Sequence, residues 1–446
     1  MKRFAVASLI VASDLACQAQ LHRDDFRLDA WDVHVLPLDA VVTIEPPPLK
    51  QGSAELKLKD GTPGWRGPAR IPHTAWVYMA LRPDSLKATL ADDPTVELKA
   101  GEDFALDPEW GAVAALPGSD YPAGTKVRLD YQYGLSRIDL VEKAPNGELV
   151  VLKGNPDKRR PLKPAGTEGN TPLFAVYLPN HATRLTQDMI LPVDPEYDGV
   201  PPVIRRTHLD PVVEKLRGNE PVTIVFFGDS ITAQQEKDFQ DGRGSFVERF
   251  ATYLREMWPG RELVRGKHAE EVNAGKGQTA VIMSGVGGDD TRRGLKRLDA
   301  QVLAHDPDLV VIMFGVNDEN RGRAGNVVPV PEYRDNLETM VDRIRAEDGR
   351  VILMTPSMKN LQWSATAGNL NDYAQAMRDV AEEKQVCLVD AYQAWQDLPK
   401  RGYHYMVFLG NCLNHPVDLG HDLFARGLRA AFAPADQKDR AEAAEE

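Results

Sequence analysis

From Val222 onward, short and nearly uninterrupted apolar runs alternate with stretches whose apolar residues recur at helical spacing. The runs are Val222–Phe227, Leu309–Phe314, Val351–Met354 and Val386–Val389. Phe246, Val247, Phe250 and Leu254 mark one helical face, and Tyr333, Leu337, Met340, Val341 and Ile344 mark another. Tyr373, Met377, Val380 and Ala381 mark a third, and Leu419, Leu423 and Phe424 a last one. A strand that is apolar at every position is buried on both faces, and a strand followed by a helix returns in the same direction. The pattern predicts an α/β domain over residues 205–432, a parallel sheet with helices on both sides. In such sheets, ligands bind at the carboxyl ends of the strands.

Residues 21–200 have a different rhythm. In Lys126–Tyr131 the apolar side chains of Val127, Leu129 and Tyr131 fall on every second position, as on one face of a strand. Glu55–Lys59 and Val96–Lys99 repeat the alternation, and turn signals at Asp60-Gly61, Ala100-Gly101 and Pro145-Asn146-Gly147 separate the runs. This pattern predicts an all-β antiparallel sandwich, and no catalytic constellation is visible in it. Prolines at 192, 195, 201 and 202 mark a linker between the two domains.

Composition narrows the function classes. The 446 residues hold 53 Lys and Arg against 66 Asp and Glu, a formal charge of -13. Such a chain lacks the basic footprint needed to follow a phosphate backbone or an anionic membrane surface, so no nucleic-acid partner is expected. No apolar run approaches the roughly 20 residues that span a bilayer. Three cysteines are too few for a disulfide scaffold. At the start, Met1-Lys2-Arg3 precedes the mostly apolar Phe4–Ser13, the layout of a secretory signal over residues 1–20. Cleavage could follow Ala19; alternatively Leu15-Ala16-Cys17 resembles the end of a bacterial lipobox, which would lipidate Cys17. The expectation is export, to the periplasm or outside the cell. Residues 433–446 are expected to form a solvated acidic tail.

The strand ends carry the chemistry. Val222–Phe227 runs into Gly228-Asp229-Ser230, where a serine past a buried strand and ahead of a helix can act as a nucleophile. Leu309–Phe314 runs into Gly315-Val316-Asn317-Asp318, whose asparagine can offer an amide N–H to a substrate oxygen. Between them lies the glycine-rich Ser284–Thr291, including Gly288, a backbone able to approach a ligand closely. Near the end, Asn414-His415-Pro416 places a histidine in an extended loop before the last helix. A Gly-x-Ser-x-Gly elbow is absent, which disfavours the α/β-hydrolases. Lys276 in Gly275–Thr279 does not meet the spacing of a phosphate loop. His404, Cys412, His415, Asp418 and His421 fit no ligand spacing, so neither a metal nor a cofactor is expected. Cys387, inside an apolar run, is expected in the core.

Gly228-Asp229-Ser230, the Gly288 loop, Gly315-x-Asn317-Asp318 and His415-Pro416 resemble blocks I, II, III and V of the SGNH (GDSL) hydrolase superfamily, in order and approximate spacing. The resemblance implies a flavodoxin-like α/β/α fold and ester hydrolysis. Ser230 would be the nucleophile and His415 the general base. The backbone N–H groups of Ser230 and Gly288, with the amide of Asn317, would form the oxyanion hole. The chemistry is coherent by itself: a serine hydroxyl needs a neighbouring base, and each preorganised oxyanion donor lowers the barrier by roughly 3–4 kcal/mol.

The sequence departs from that family at one position. The acid usually found three residues before the histidine is here Cys412. Three arrangements compete: a backbone carbonyl orients His415, Asp418 or another acid folds in, or the site is weakened. A carbonyl or a simple Ser–His dyad is favoured. The expected activity is hydrolysis of short acyl esters, acetyl first, on a small molecule or a polysaccharide, with glycan contact by the N-terminal domain. The alternatives are a lipid or thioester hydrolase, a glycan O-acyltransferase, or a glycan-binding protein with a degenerate site.

Overall fold

A computed structural model describes residues 20–433 apart from 236, 237, 269 and 271. The expected signal segment with Cys17 and nearly all of the acidic tail lie outside the described residues. Six parallel strands form the centre of the C-terminal half: β1 (Val222–Gly228), β2 (Glu262–Lys267), β3 (Gln278–Gly285), β4 (Leu309–Met313), β5 (Arg350–Met354) and β6 (Cys387–Val389). Their spatial order is β2-β3-β1-β4-β5-β6, and Val203–Ile204 joins β6 as an antiparallel edge. Without the outer β2, the order is the 2-1-3-4-5 of flavodoxin-like sheets, whose crevice opens where the winding reverses. That point falls between β1 and β4.

The central strands are buried because each side chain meets a helical layer. Ile224 and Phe226 of β1 point to α1 (Asp210–Arg217), α2 (Phe246–Met257) and α7 (Asp418–Ala431). Val225 and Phe227 point the other way, to α3 (Thr291–Gln301), α4 (Val330–Ala346) and α5 (Leu370–Glu383). The apolar faces read from the sequence are the buried faces: Tyr333, Leu337, Met340, Val341 and Ile344 are all in the core of α4. Cys387 is fully buried in β6. Two strands gave no clear signal. β2 is an edge strand with Glu262, Arg265 and Lys267 exposed, a composition that blunts an open edge. β3 carries Gln278 and Ser284 at its ends.

The paired strands of the front half are antiparallel and form two two-layer stacks. In one, the sheet of Leu49–Lys57, Lys126–Gly134, Leu81–Leu90 and Glu97–Leu98 covers the sheet of Ala69–Arg70, Ala112–Ala115 and Phe104–Asp107. Val127, Leu129 and Tyr131 are buried in the core between them, as their alternation requires. In the other, the three strands between Phe26 and Thr43 cover a sheet of Leu149–Leu152, Arg137–Lys143, Thr171–Leu178 and Ile190–Pro192. The strand Thr171–Leu178 is buried on both faces over its second half. Phe174, Val176 and Leu178 fill the stack, whereas Ala175 and Tyr177 join Trp395, Leu398 and Phe408 of the α/β half in one continuous core. The proline-marked connection follows the same junction, with the Asp194 N–H bonded to the Lys400 carbonyl and the Asp390 N–H to the Pro202 carbonyl. Among the described residues, no helix is long and apolar enough to cross a membrane.

Candidate active site

Ser230 lies on the turn that follows β1, and it is half-buried. Gly228 makes the exit possible: a Cβ there would lie 2.3 Å from Thr232 Oγ1 and 2.6 Å from the Met313 carbonyl oxygen. The helix expected directly after the serine is not there. The chain turns at Ser230–Ala233, and α2 begins only at Phe246. The intervening loop folds over the start of α7, with Gln234 Nε2 donating to the Pro416 carbonyl at 3.1 Å and Phe239 edge-on to His421. The Ser230 N–H therefore belongs to a turn and not to a helix N-terminus.

His415 arrives from the other end of the sequence. Its Nε2 is 2.8 Å from Ser230 Oγ. The loop holding it is built on Asn411, whose Oδ1 accepts the N–H groups of Leu413, Asn414 and His415, each at 3.0 Å. Arg159 of the front half donates to the Gly410 carbonyl at 2.8 Å, so both halves support this loop.

Gly288 and Asn317 complete the group. Gly288 has φ +80°, in the left-handed region that favours glycine. Neither its N–H nor that of Ser230 has a protein acceptor among the described residues. The Asn317 amide donates to the Asp289 carbonyl at 2.8 Å and reaches Asp229 Oδ2 only at 3.4 Å, so its second hydrogen is weakly held. The four residues anticipated from sequence thus meet at the carboxyl ends of β1, β3 and β4 and in the loop before α7.

The place of the missing acid is resolved. Cys412 does not face the imidazole: it is buried with Tyr78, Trp110 and Leu413, and burial pushes its thiol up. Asp418 pairs with Arg160 at 3.0 Å and accepts the Gln240 N–H at 3.0 Å. Among the described residues, neither a carboxylate nor a carbonyl is hydrogen-bonded to His415 Nδ1. Burial lowers the His415 pKa, with the Asp238 carboxylate opposing and Arg66 assisting. His421 packs inside α7, where its Nδ1 accepts the Phe246 N–H at 3.0 Å.

Two supports had no sequence signal. Arg297, on α3, donates to Asp289 Oδ2 at 2.7 Å, to the Ser284 carbonyl at 2.9 Å and to the Gly228 carbonyl at 2.8 Å. One guanidinium fork thereby fixes the ends of β1 and β3 and the loop carrying Gly288. Lys359, fully buried after β5, pairs with the buried Glu319 and donates to the Val316 carbonyl at 3.1 Å. Next to it, the Asn360 amide donates to the Cys412 carbonyl at 3.1 Å. This dipeptide links the Asn317 turn to the His415 loop. Beneath the site, burial pushes Asp229 up to about 7, with Asp318 and Asp289 adding to the rise.

A hydroxyl within hydrogen-bond reach of an imidazole, beside unsatisfied N–H donors, can attack an acyl carbon and hold the anion that results. Comparison with known proteins agrees with that chemistry. Residues 226–423 match the GDSL-like Lipase/Acylhydrolase family. An acetylxylan esterase of Geobacillus stearothermophilus is 27% identical over 211 residues, covering 46% of this chain and 91% of its own. An isoamyl acetate-hydrolyzing esterase of Saccharomyces cerevisiae is 26% identical over 209 residues, covering 41% of this chain and 78% of its own. Among solved structures, a lipase/acylhydrolase from Enterococcus faecalis aligns with 47% of this chain and 95% of its own at 30% identity, with a TM-score of 0.37. Residues 226–423 thus form a GDSL-like lipase/acylhydrolase domain. The chain is a carboxylic ester hydrolase.

Proposed function

We propose that the protein is a serine esterase that removes short acyl groups, acetyl first, from a carbohydrate by way of an acyl-enzyme on Ser230. Ser230 Oγ attacks the ester carbonyl carbon while its proton passes to His415 Nε2. The carbonyl oxygen becomes an anion held by the N–H groups of Ser230 and Gly288 and by the Asn317 amide. Collapse expels the sugar oxygen, which takes the proton from the imidazolium. Water then attacks the acyl-enzyme, gives a proton to His415, and releases the carboxylic acid as Ser230 Oγ recovers its own.

The observation carrying this reading is the 2.8 Å contact of Ser230 Oγ with His415 Nε2 beside two backbone N–H groups without acceptors. The acetyl and carbohydrate parts are supported by the acetylxylan esterase relative. Export, suggested by residues 1–20, would bring such an enzyme to a polymeric substrate. Ser230→Ala and His415→Ala should each reduce hydrolysis of p-nitrophenyl acetate by roughly 10³-fold or more, with the circular dichroism spectrum unchanged. Full activity in the folded Ser230→Ala protein would rule out this nucleophile.

A further inference from the structure

The front half contributes to the active-site surroundings as well as to the core. A small cluster of buried residues, Tyr78, Trp110, Cys412 and Leu413, has Trp65 and Trp363 packed against it, both half-buried. Tyr78, Trp110 and Trp65 come from the β-rich half. Cys412, Leu413 and Trp363 come from the α/β half. Leu413 lies two residues before His415, and the Asn360 N–H is bonded to its carbonyl at 2.6 Å. The segment carrying Trp363 is therefore fastened directly to the catalytic-histidine loop. On the other side, the Arg66 guanidinium lies 5.2 Å from the centre of the Trp65 ring. Arg66 is exposed and near enough to act electrostatically on His415. The Trp65 Nε1 is itself buried and has no acceptor among the described residues.

Two half-buried indoles packed against the same cluster, with an exposed guanidinium beside one of them, match the surface of a sugar. Pyranose rings present a face of C–H groups that packs on aromatic rings, and an edge of hydroxyls that accepts from N–H donors. A long acyl chain would call for a continuous apolar groove, whereas this rim mixes rings with donors.

We propose that Trp65 and Trp363 form a sugar-binding platform beside the Ser230–His415 pair, so that the β-rich half supplies part of the specificity of the esterase. The inference rests on the carbohydrate reading above and deepens it. The ligand is the backbone of an acetylated oligosaccharide whose ester enters the site. Trp65 and Trp363 act by holding the substrate and take no part in bond breaking.

The test compares p-nitrophenyl acetate with an acetylated xylooligosaccharide on the full chain. For Trp65→Ala and for Trp363→Ala, the loss in kcat/KM on the oligosaccharide should exceed any loss on p-nitrophenyl acetate by about tenfold or more. The excess should appear mainly in KM. Trp65→Phe and Trp363→Phe keep a ring in place and should recover much of the loss. Equal losses on the two substrates, or none on either, would overturn the platform while leaving the carbohydrate reading intact. If the unaltered protein cleaves p-nitrophenyl acetate but not the oligosaccharide, the carbohydrate reading fails and the platform with it.

Discussion

Burial draws the His415 imidazole toward its neutral form, and the Asp238 carboxylate, on the loop after the Ser230 turn, pushes the other way. The sign of the pH dependence follows. A general base works only when neutral, so activity is lost as pH falls through its pKa. Because burial lowers that pKa from the ordinary imidazole value of 6.5, the acid limb of kcat/KM should have its midpoint below pH 6.5. Asp238→Asn removes the opposing charge and should shift the limb further toward acid. A limb above 6.5, or a shift in the alkaline direction on substitution, would contradict this account. Asp229 shows the same influence of burial on an acid. Its carboxyl is pushed up to about 7, with Asp318 and Asp289 adding to the rise. None of these environments can be read from the sequence, because burial and distance are properties of the folded chain. Cys412 is the clearest case. The sequence showed that the usual acid was missing, but only the structure shows the thiol turned into an aromatic cluster and Asp418 committed to Arg160.

The elements that bear the site were legible to different degrees. β1 and β4 announce themselves, since strands buried on both faces read as unbroken apolar runs. The helices on either side were visible in their 3.6-residue spacing for the same reason. β2 was not, because half of its residues face water at the sheet edge. The segment after β5 was silent as well, although it braces the Asn317 turn and the His415 loop. Its role depends on the buried pair of Lys359 with Glu319, whose carboxylate also accepts the Thr366 hydroxyl at 2.7 Å and the Asn369 N–H at 3.0 Å. Removing one partner of such a pair leaves an uncompensated buried charge. Lys359→Met should therefore destabilise the protein by about 3–5 kcal/mol, read from the midpoint of denaturant unfolding. The double variant Lys359→Met/Glu319→Gln should recover a large part of that loss. A single variant as stable as the unaltered protein would show that the bracing is not energetically coupled.

At the scale of the whole molecule, the two halves are distinct in rhythm but share a core. Ile138, Leu140, Ala175, Tyr177 and Leu191 from the β-rich half are buried in one cluster with Trp395, Leu398 and Phe408. Arg159 and Arg160 add polar ties to Gly410 and Asp418. A junction of this kind should make unfolding cooperative: far-ultraviolet circular dichroism and tryptophan fluorescence should report coincident transitions in denaturant. Two separated transitions would mean that the halves unfold independently. The amino-acid sequence by itself determined the parallel sheet, the antiparallel front half and the four chemical groups Ser230, Gly288, Asn317 and His415, because periodicity and strand-end position are local properties of the chain. Only the tertiary structure decided that His415 lies against Ser230 and that, among the described residues, its other ring nitrogen has no hydrogen-bonded carboxylate. It likewise decided that Arg297 and Lys359 hold the loops, and that Trp65 of the front half stands beside the catalytic-histidine loop. Those facts depend on contacts between residues far apart in sequence, and no local pattern records them.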